Sequence, residues 1–126
     1  MLAVVGAHLS GLPLNGELTA LGARLLQATK TAPQYKLYAL AGTTPPKPGL
    51  LRVENGQGSQ IEVEVWALSA EAFGRFVAAV PAPLSIGTMA LADGRSVKGF
   101  LVEPAGVAGA TDISAHGGWR AYLAAK

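Results

Sequence analysis

The chain has 126 residues, half of them hydrophobic and 14% charged, so it can bury one core, is too short for two, and is too apolar to stay disordered. Its formal charge is +2, and its ten lysines and arginines are scattered from Arg24 to Lys126, which excludes the basic patch of a nucleic-acid binder despite a pI of 9.2. Cysteine is absent, which removes disulfides, thiolate nucleophiles and cysteine metal sites, and neither a leader sequence nor an eighteen-residue apolar run is present. The expectation is a single domain over 1–126, cytoplasmic, with neither nucleic acid nor membrane as partner.

In chain order, residues 2–5 are an apolar run ended by Gly6, which reads as a strand buried on both faces and leading into Gly6-Ala7-His8-Leu9-Ser10-Gly11. Pro13 disfavours helix just before it, and Asn15 is placed to cap a short helix over 16–21, with Glu17 near its positive end. Strands are expected over 24–29 and 35–40. The three prolines between Gly42 and Gly49 make a stiff, extended loop, followed by a strand over 50–53 and a turn at Gly56 and Gly58. Ile61, Val63 and Val65 alternate with Glu62, Glu64 and Trp66, the period-two pattern of a half-buried strand.

Ser69 before Glu71-Ala72-Phe73 predicts a helix start, and the spacing of Phe73, Phe76, Val77 and Val80 gives it one apolar face until Pro81 and Pro83. Residues 84–91 and 96–102, separated by a turn at Asp93-Gly94, predict a hairpin. After Gly117-Gly118, residues 119–125 predict a short helix with Trp119, Tyr122 and Leu123 on one side, placed to seal the end of the core.

The loop from Gly6 to Gly11 is the leading candidate for function. Glycine at both ends lets the backbone turn sharply, and successive N–H groups in such a turn can accept an anion such as a carboxylate. His8 titrates near neutral pH and can donate a proton or hold a second oxygen; alternatively it only hydrogen-bonds a carbonyl at the strand end. Ser10 is too close to His8 in sequence for a nucleophile and base, and no Gly-x-Ser-x-Gly is present. His116, with Ser114, Gly117 and Gly118, is a second polar cluster that also suits a plain turn and cap. No spacing joins the two histidines to Glu64, Glu103 or Asp112 as metal ligands, so neither metal nor cofactor is expected. Glu62 and Glu64 share a strand face with Trp66. That face is either solvated or, if the sheet closes, lines a pocket in which the Glu64 pKa is raised. Tyr35, Tyr38 and Phe100 belong to the core or to a pocket wall.

These residues stand in an ordered series of motifs: Gly6-Ala7-His8-Leu9-Ser10-Gly11 with Pro13-Leu14-Asn15, Thr31-Ala32-Pro33 with Tyr35-Lys36-Leu37-Tyr38, Pro48-Gly49-Leu50 and Glu62-Val63-Glu64-Val65-Trp66. Phe73-Gly74-Arg75-Phe76, Pro83-Leu84-Ser85-Ile86-Gly87, Asp93-Gly94, Lys98-Gly99-Phe100 and Gly117-Gly118-Trp119-Arg120-Ala121-Tyr122 continue it. Nearly end to end, the chain resembles the C-terminal domain of allophanate hydrolase. The resemblance implies an α+β fold like that of the γ-glutamyl cyclotransferases: a small mixed, barrel-like sheet of about six or seven strands with two or three short helices. It implies that the amidase domain of such enzymes releases ammonia and leaves N-carboxycarbamate, which this domain helps to decarboxylate in urea and allophanate breakdown.

The resemblance implies His8 as the catalytic residue; Gly6, Ala7, Leu9, Ser10, Gly11, Asn15, Tyr35, Tyr38, Glu64, Trp66, Gly87 and Phe100 are the candidate substrate contacts. Cyclotransferase activity is not expected, because Ala79-Val80-Pro81-Ala82-Pro83 holds no acid where those enzymes keep their glutamate. No amidase segment precedes Met1, so the chain reads as an excised domain or a free-standing relative. Expected partners are a small carboxylated substrate and a separate amidase or a second copy. Two other readings stand beside catalysis: a non-catalytic assembly module using apolar surface around Trp119 and Tyr122, and a binding-only protein for a small carboxylic acid.

Overall fold

A computed structural model describes all residues from Met1 to Lys126. The fold is α+β. Eight strands form two sheets, and the sheets wrap over one another without closing into a barrel.

The central strand β1 (Leu2–Val4) is wholly buried, as its unbroken apolar run requires. It lies between β5 (Glu62–Ala67), antiparallel, and β7 (Ser96–Val102), parallel. Beyond them lie β2 (Arg24–Lys30) and β6 (Leu84–Ala90), giving the order β2-β5-β1-β7-β6. The hairpin β6–β7 turns at Asp93-Gly94, with Asp93 accepting from the Arg95 N–H at 3.0 Å. A smaller sheet of order β4-β3-β8 packs across: β3 (Tyr35–Ala39) pairs with β4 (Pro48–Arg52) and with β8 (Thr111–Asp112). Leu2, Val4, Tyr35, Leu37, Leu50, Ile61 and Val65, all 1% exposed or less, share the core cluster between the sheets.

Helix α2 (Ala70–Ala78) starts as its sequence predicts, with the Ser69 hydroxyl accepting from the Ala72 N–H at 3.1 Å. Phe76 faces inward, while Glu71 and Arg75 pair on the outside. Helix α3 (Trp119–Ala124) lays Trp119 into the core, with Tyr122 and Leu123 packed against it. No helix is long and apolar enough to cross a membrane.

Three local expectations are corrected, and one strand was not foreseen. Helix α1 spans Asn15–Thr19, and Asn15 does not cap it: Leu14 holds that position, and the Asn15 amide donates instead to the His8 carbonyl at 2.9 Å. Strand β5 is not half-buried: Glu64 and Trp66 lie inside, 7% and 5% exposed, because Ser10 and Arg120 close over the Glu64 carboxylate. Strand β8 has only two residues, too few for any periodicity to reveal. Trp119 is 3% exposed and seals the end of the core as the spacing of its helix predicts, so it does not supply the apolar surface of the assembly reading.

Candidate functional site

Strand β1 ends in the middle of the large sheet, so the chain leaving it enters the molecule rather than the rim. Gly6 is buried beneath the Pro48 ring, which opens β4, and a Cβ at Gly6 would run into that ring. The chain then turns tightly, with the Leu9 N–H donating to the Gly6 carbonyl at 2.9 Å and the Leu14 N–H to the Ala7 carbonyl at 2.8 Å. Gly11, at φ +79°, supplies the left-handed residue that brings the chain out again. The carbonyls of Gly6, Ala7 and His8 are thereby occupied, but the N–H groups of these same three residues have no acceptor in the protein. Ala7 is 3% exposed. Consecutive unpaired amides at such depth are costly unless something outside the chain accepts from them.

The His8 side chain is 12% exposed and held on three sides. Its ring stacks on Phe100 at 5.1 Å and 17°, and meets the Phe76 ring edge-on at 5.1 Å. Its Nε2 lies 2.8 Å from Glu17 Oε1 on α1. Burial pulls the His8 pKa below its ordinary value; the hydrogen bond and charge of Glu17 oppose this, and the Lys47 ammonium adds to the lowering. At neutral pH the imidazole is therefore mainly neutral. The Glu17 carboxylate selects the tautomer that donates from Nε2, leaving the Nδ1 lone pair free.

His8, Glu17, Lys47 and Arg75 are the polar lining of a cavity of about 390 Å³ whose other walls include Leu14, Leu21, Phe76, Val80, Leu84 and Phe100. A crevice of about 20 Å³ adjoins it, bounded by Gly6, Ala7, His8 and Lys47 among others. The geometry joins backbone donors, a titratable ring and a cation on one small volume.

Behind the loop stands a different cluster. The Ser10 N–H and hydroxyl donate to the two Glu64 oxygens at 2.8 and 2.7 Å, the Trp66 indole donates at 3.2 Å, and Arg120 donates at 3.0 Å. Arg120 also reaches the Ser10 carbonyl at 2.7 Å. Burial alone would raise the Glu64 pKa, but the donors on Ser10, Trp66 and Arg120 outweigh it and hold the pKa below the ordinary value. The raised pKa expected for a pocket-lining Glu64 is thus reversed: the loop binds a carboxylate at Ser10, and that carboxylate is the protein's own. A second cavity of about 290 Å³ lies on this side, lined by Leu9, Lys30, Glu62 and Arg120 among others.

Of the candidate residues, the structure brings Gly6, Ala7, His8 and Phe100 together at the first cavity, with Asn15 bracing the loop. Leu9, Ser10, Glu64 and Trp66 gather on the other side of the loop, and Gly11 is at the exposed turn. Tyr35 is wholly buried, its hydroxyl accepting from the Ala90 N–H and from Arg52. Tyr38 and Gly87 line neither cavity; a Cβ on Gly87 would meet Leu101. His116 meets Tyr122 edge-on in the turn before α3, and no cluster of three or more acidic or histidine side chains could hold a metal ion. Sequence reasoning did not single out Lys47, which sits in the proline loop, or Arg120, which closes onto a residue 110 positions away. Glu17 was read as helix-end charge, although one turn of a short helix after the His8 loop is within reach of it.

The model of the family described as the allophanate hydrolase C-terminal domain matches residues 1–124. The chain belongs to this family. It is 48% identical over 125 residues to the urea amidolyase of Saccharomyces cerevisiae, covering 97% of this chain and 7% of that protein. The crystal structure of Kluyveromyces lactis allophanate hydrolase superposes with a TM-score of 0.94 at 48% identity, over 98% of this chain and 21% of that one. A uropathogenic E. coli-specific protein superposes at 0.89 with 34% identity, over 98% and 94% of the two chains. This allophanate hydrolase C-terminal domain therefore spans under a tenth of the curated urea amidolyases it matches, in which it is one part of a much longer chain.

Proposed function

We propose that this allophanate hydrolase C-terminal domain binds N-carboxycarbamate in the His8 cavity and assists its decarboxylation. The observation that carries the reading is the run of three unpaired backbone N–H groups at buried Gly6 and Ala7 and half-buried His8, beside a titratable ring. Such donors suit a carboxylate, and they need no reorganisation when it arrives.

In the step itself one C–N bond breaks, its electron pair stays on nitrogen, and the carboxylate departs as carbon dioxide. The nitrogen takes a proton, leaving carbamate. Neutral His8 must acquire a proton before it can donate one. Binding of a dianion supplies the reason, because nearby negative charge favours the imidazolium, and Glu17 stabilises the same form through Nε2. The apolar walls of Phe76, Phe100 and Leu84 lower the local dielectric and strengthen these attractions. The amidase that supplies the substrate is the natural neighbour of the domain, in the cytoplasm.

The test couples the chain to an amidase acting on allophanate and follows carbon dioxide release, alongside amide NMR during titration with malonate, in which CH₂ replaces the substrate NH. Malonate should shift the Gly6, Ala7 and His8 amides, and His8→Ala should slow release by about 100-fold, within the usual contribution of a positioned proton donor. Release at the wild-type rate in His8→Ala, or malonate shifts confined to the Glu62–Arg120 side, would overturn the reading.

A further inference from the structure

Lys47 is fixed in place by its backbone. Its N–H donates to Thr43 Oγ1 at 2.9 Å, its carbonyl accepts from the Leu40 N–H at 3.1 Å, and the next residue is the Pro48 that covers Gly6. The proline-rich loop thus delivers this side chain to the His8 turn. Its ammonium takes part in no hydrogen bond and in none of the five ion pairs of the chain. The other ionised groups of the cavity are already engaged: Glu17 with His8 at 2.8 Å, and Arg75 with Glu71 at 3.3 Å. Lys47 is half-buried on a mostly apolar wall, and its ammonium, with no carboxylate of its own, gains most from an anionic ligand.

The position of this charge says more than its sign. Lys47 borders both the crevice over the Gly6–His8 amides and the wider cavity beside the His8 ring. A ligand with one carboxylate in each space would place Lys47 between them. Two carboxylates one atom apart repel, and a compact ammonium suits such a midpoint better than the planar fork of an arginine, which grips one carboxylate at a time.

We propose that Lys47 bridges the two carboxylates of the bound molecule and so makes the His8 site selective for small dicarboxylates over monocarboxylates. This rests on the reading of the cavity as a carboxylate site. Dianion selectivity is set by one side chain that makes no hydrogen bond or ion pair within the fold. Removing it also removes a positive neighbour of His8.

The experiment titrates malonate and acetate into the wild-type chain, Lys47→Ala and Lys47→Arg, with affinities from calorimetry and the His8 resonances as reporters. Wild type should bind malonate more tightly than acetate. Lys47→Ala should lose about 10- to 100-fold in malonate affinity, the loss expected for one charge-assisted hydrogen bond. Its acetate affinity should change little, and Lys47→Arg should recover part of the malonate loss. A structural defect would weaken both ligands together and would not be repaired by arginine. In addition, the His8 pKa should rise in Lys47→Ala, whereas simple unfolding would abolish the His8 signal position altogether. If malonate shifts the His8 loop in the wild type but binds Lys47→Ala equally well, or if both ligands lose equally, the bridging role fails while the cavity reading survives. If neither ligand perturbs His8 in the wild type, both fail.

Discussion

His8 Nε2 and Glu17 Oε1 lie 2.8 Å apart, joining the turn after β1 to the first turn of α1 across nine residues. The pair sets which form of the imidazole the cavity holds. Burial lowers the His8 pKa from its ordinary value of 6.5, and Glu17 limits that fall. Glu17→Gln removes the charge while keeping a side chain of similar shape, so the His8 pKa measured by NMR titration should drop further. A rise would contradict the direction of the pair. The linkage to stability has a definite sign. Between the lowered folded pKa and 6.5 the unfolded chain binds more protons than the native one, so stability contributed by His8 is fully present above pH 6.5 and is lost as pH falls through the folded pKa. Urea midpoints across that interval should fall with acid in the wild type and flatten in His8→Gln.

Glu64 predicts a second, more acidic dependence. Its side chain is 9% exposed and accepts four hydrogen bonds that hold its pKa below 4.5. The stability it provides is complete above pH 4.5 and disappears as pH falls through the lowered folded pKa. Glu64→Gln keeps the volume but removes the charge, and should destabilise by about 1.5–3 kcal/mol at pH 7, measured by urea unfolding. Arg120→Ala should cost less, about 1 kcal/mol or below, since the Arg120 side chain is 43% exposed and its ion pair is screened. Equal losses from both would mean that Arg120 rather than Ser10 and Trp66 holds the carboxylate.

How much of this was legible follows from the range of the interactions. The buried run of β1, the Ser69 cap and the Asp93-Gly94 hairpin are local signals, and the fold follows them closely. The glycine-bounded turn is local too, which is why its place at the end of a central strand could be read. The partners of that turn are not local. Glu64 reaches Ser10 from 54 positions away and Arg120 reaches it from 110, and no period or spacing encodes such pairings. Asn15 shows the converse: its side chain suits a helix cap, but its amide donates to the His8 carbonyl instead. The misread burial of β5 has the same origin, because alternation of Val and Glu looks solvated until the donors around Glu64 are known.

Gly6 tests the coupling of the His8 loop to the proline-rich segment. Its missing Cβ lets Pro48 lie directly on the backbone, and that contact places Lys47 beside His8. In Gly6→Ala the chain and the rigid proline ring must both move, because neither can rotate away. The expected cost is about 1–3 kcal/mol from overpacking, read from thermal or urea unfolding. Malonate affinity should fall in the same variant, while Gly16→Ala, where a Cβ meets only open space, should leave binding unchanged. Intact binding in Gly6→Ala would show that the Pro48 contact does not shape the site.

Trp119 separates packing from assembly. It is 3% exposed, stacks on Tyr122 at 5.3 Å and joins the core cluster from the C-terminal helix. Trp119→Ala should therefore destabilise by about 3–5 kcal/mol through the cavity it leaves. Trp119→Phe, which refills most of that space, should recover more than half of the loss. The exposed large side chains are elsewhere: Leu25 and Leu26 on the edge strand β2 are 46% and 48% exposed, and that edge has an unpaired backbone side. Light scattering on Trp119→Phe should thus give the same mass as the wild type, whatever that mass is. A change in mass with unchanged stability would place Trp119 at an interface after all, because a core residue cannot alter association without first weakening the fold.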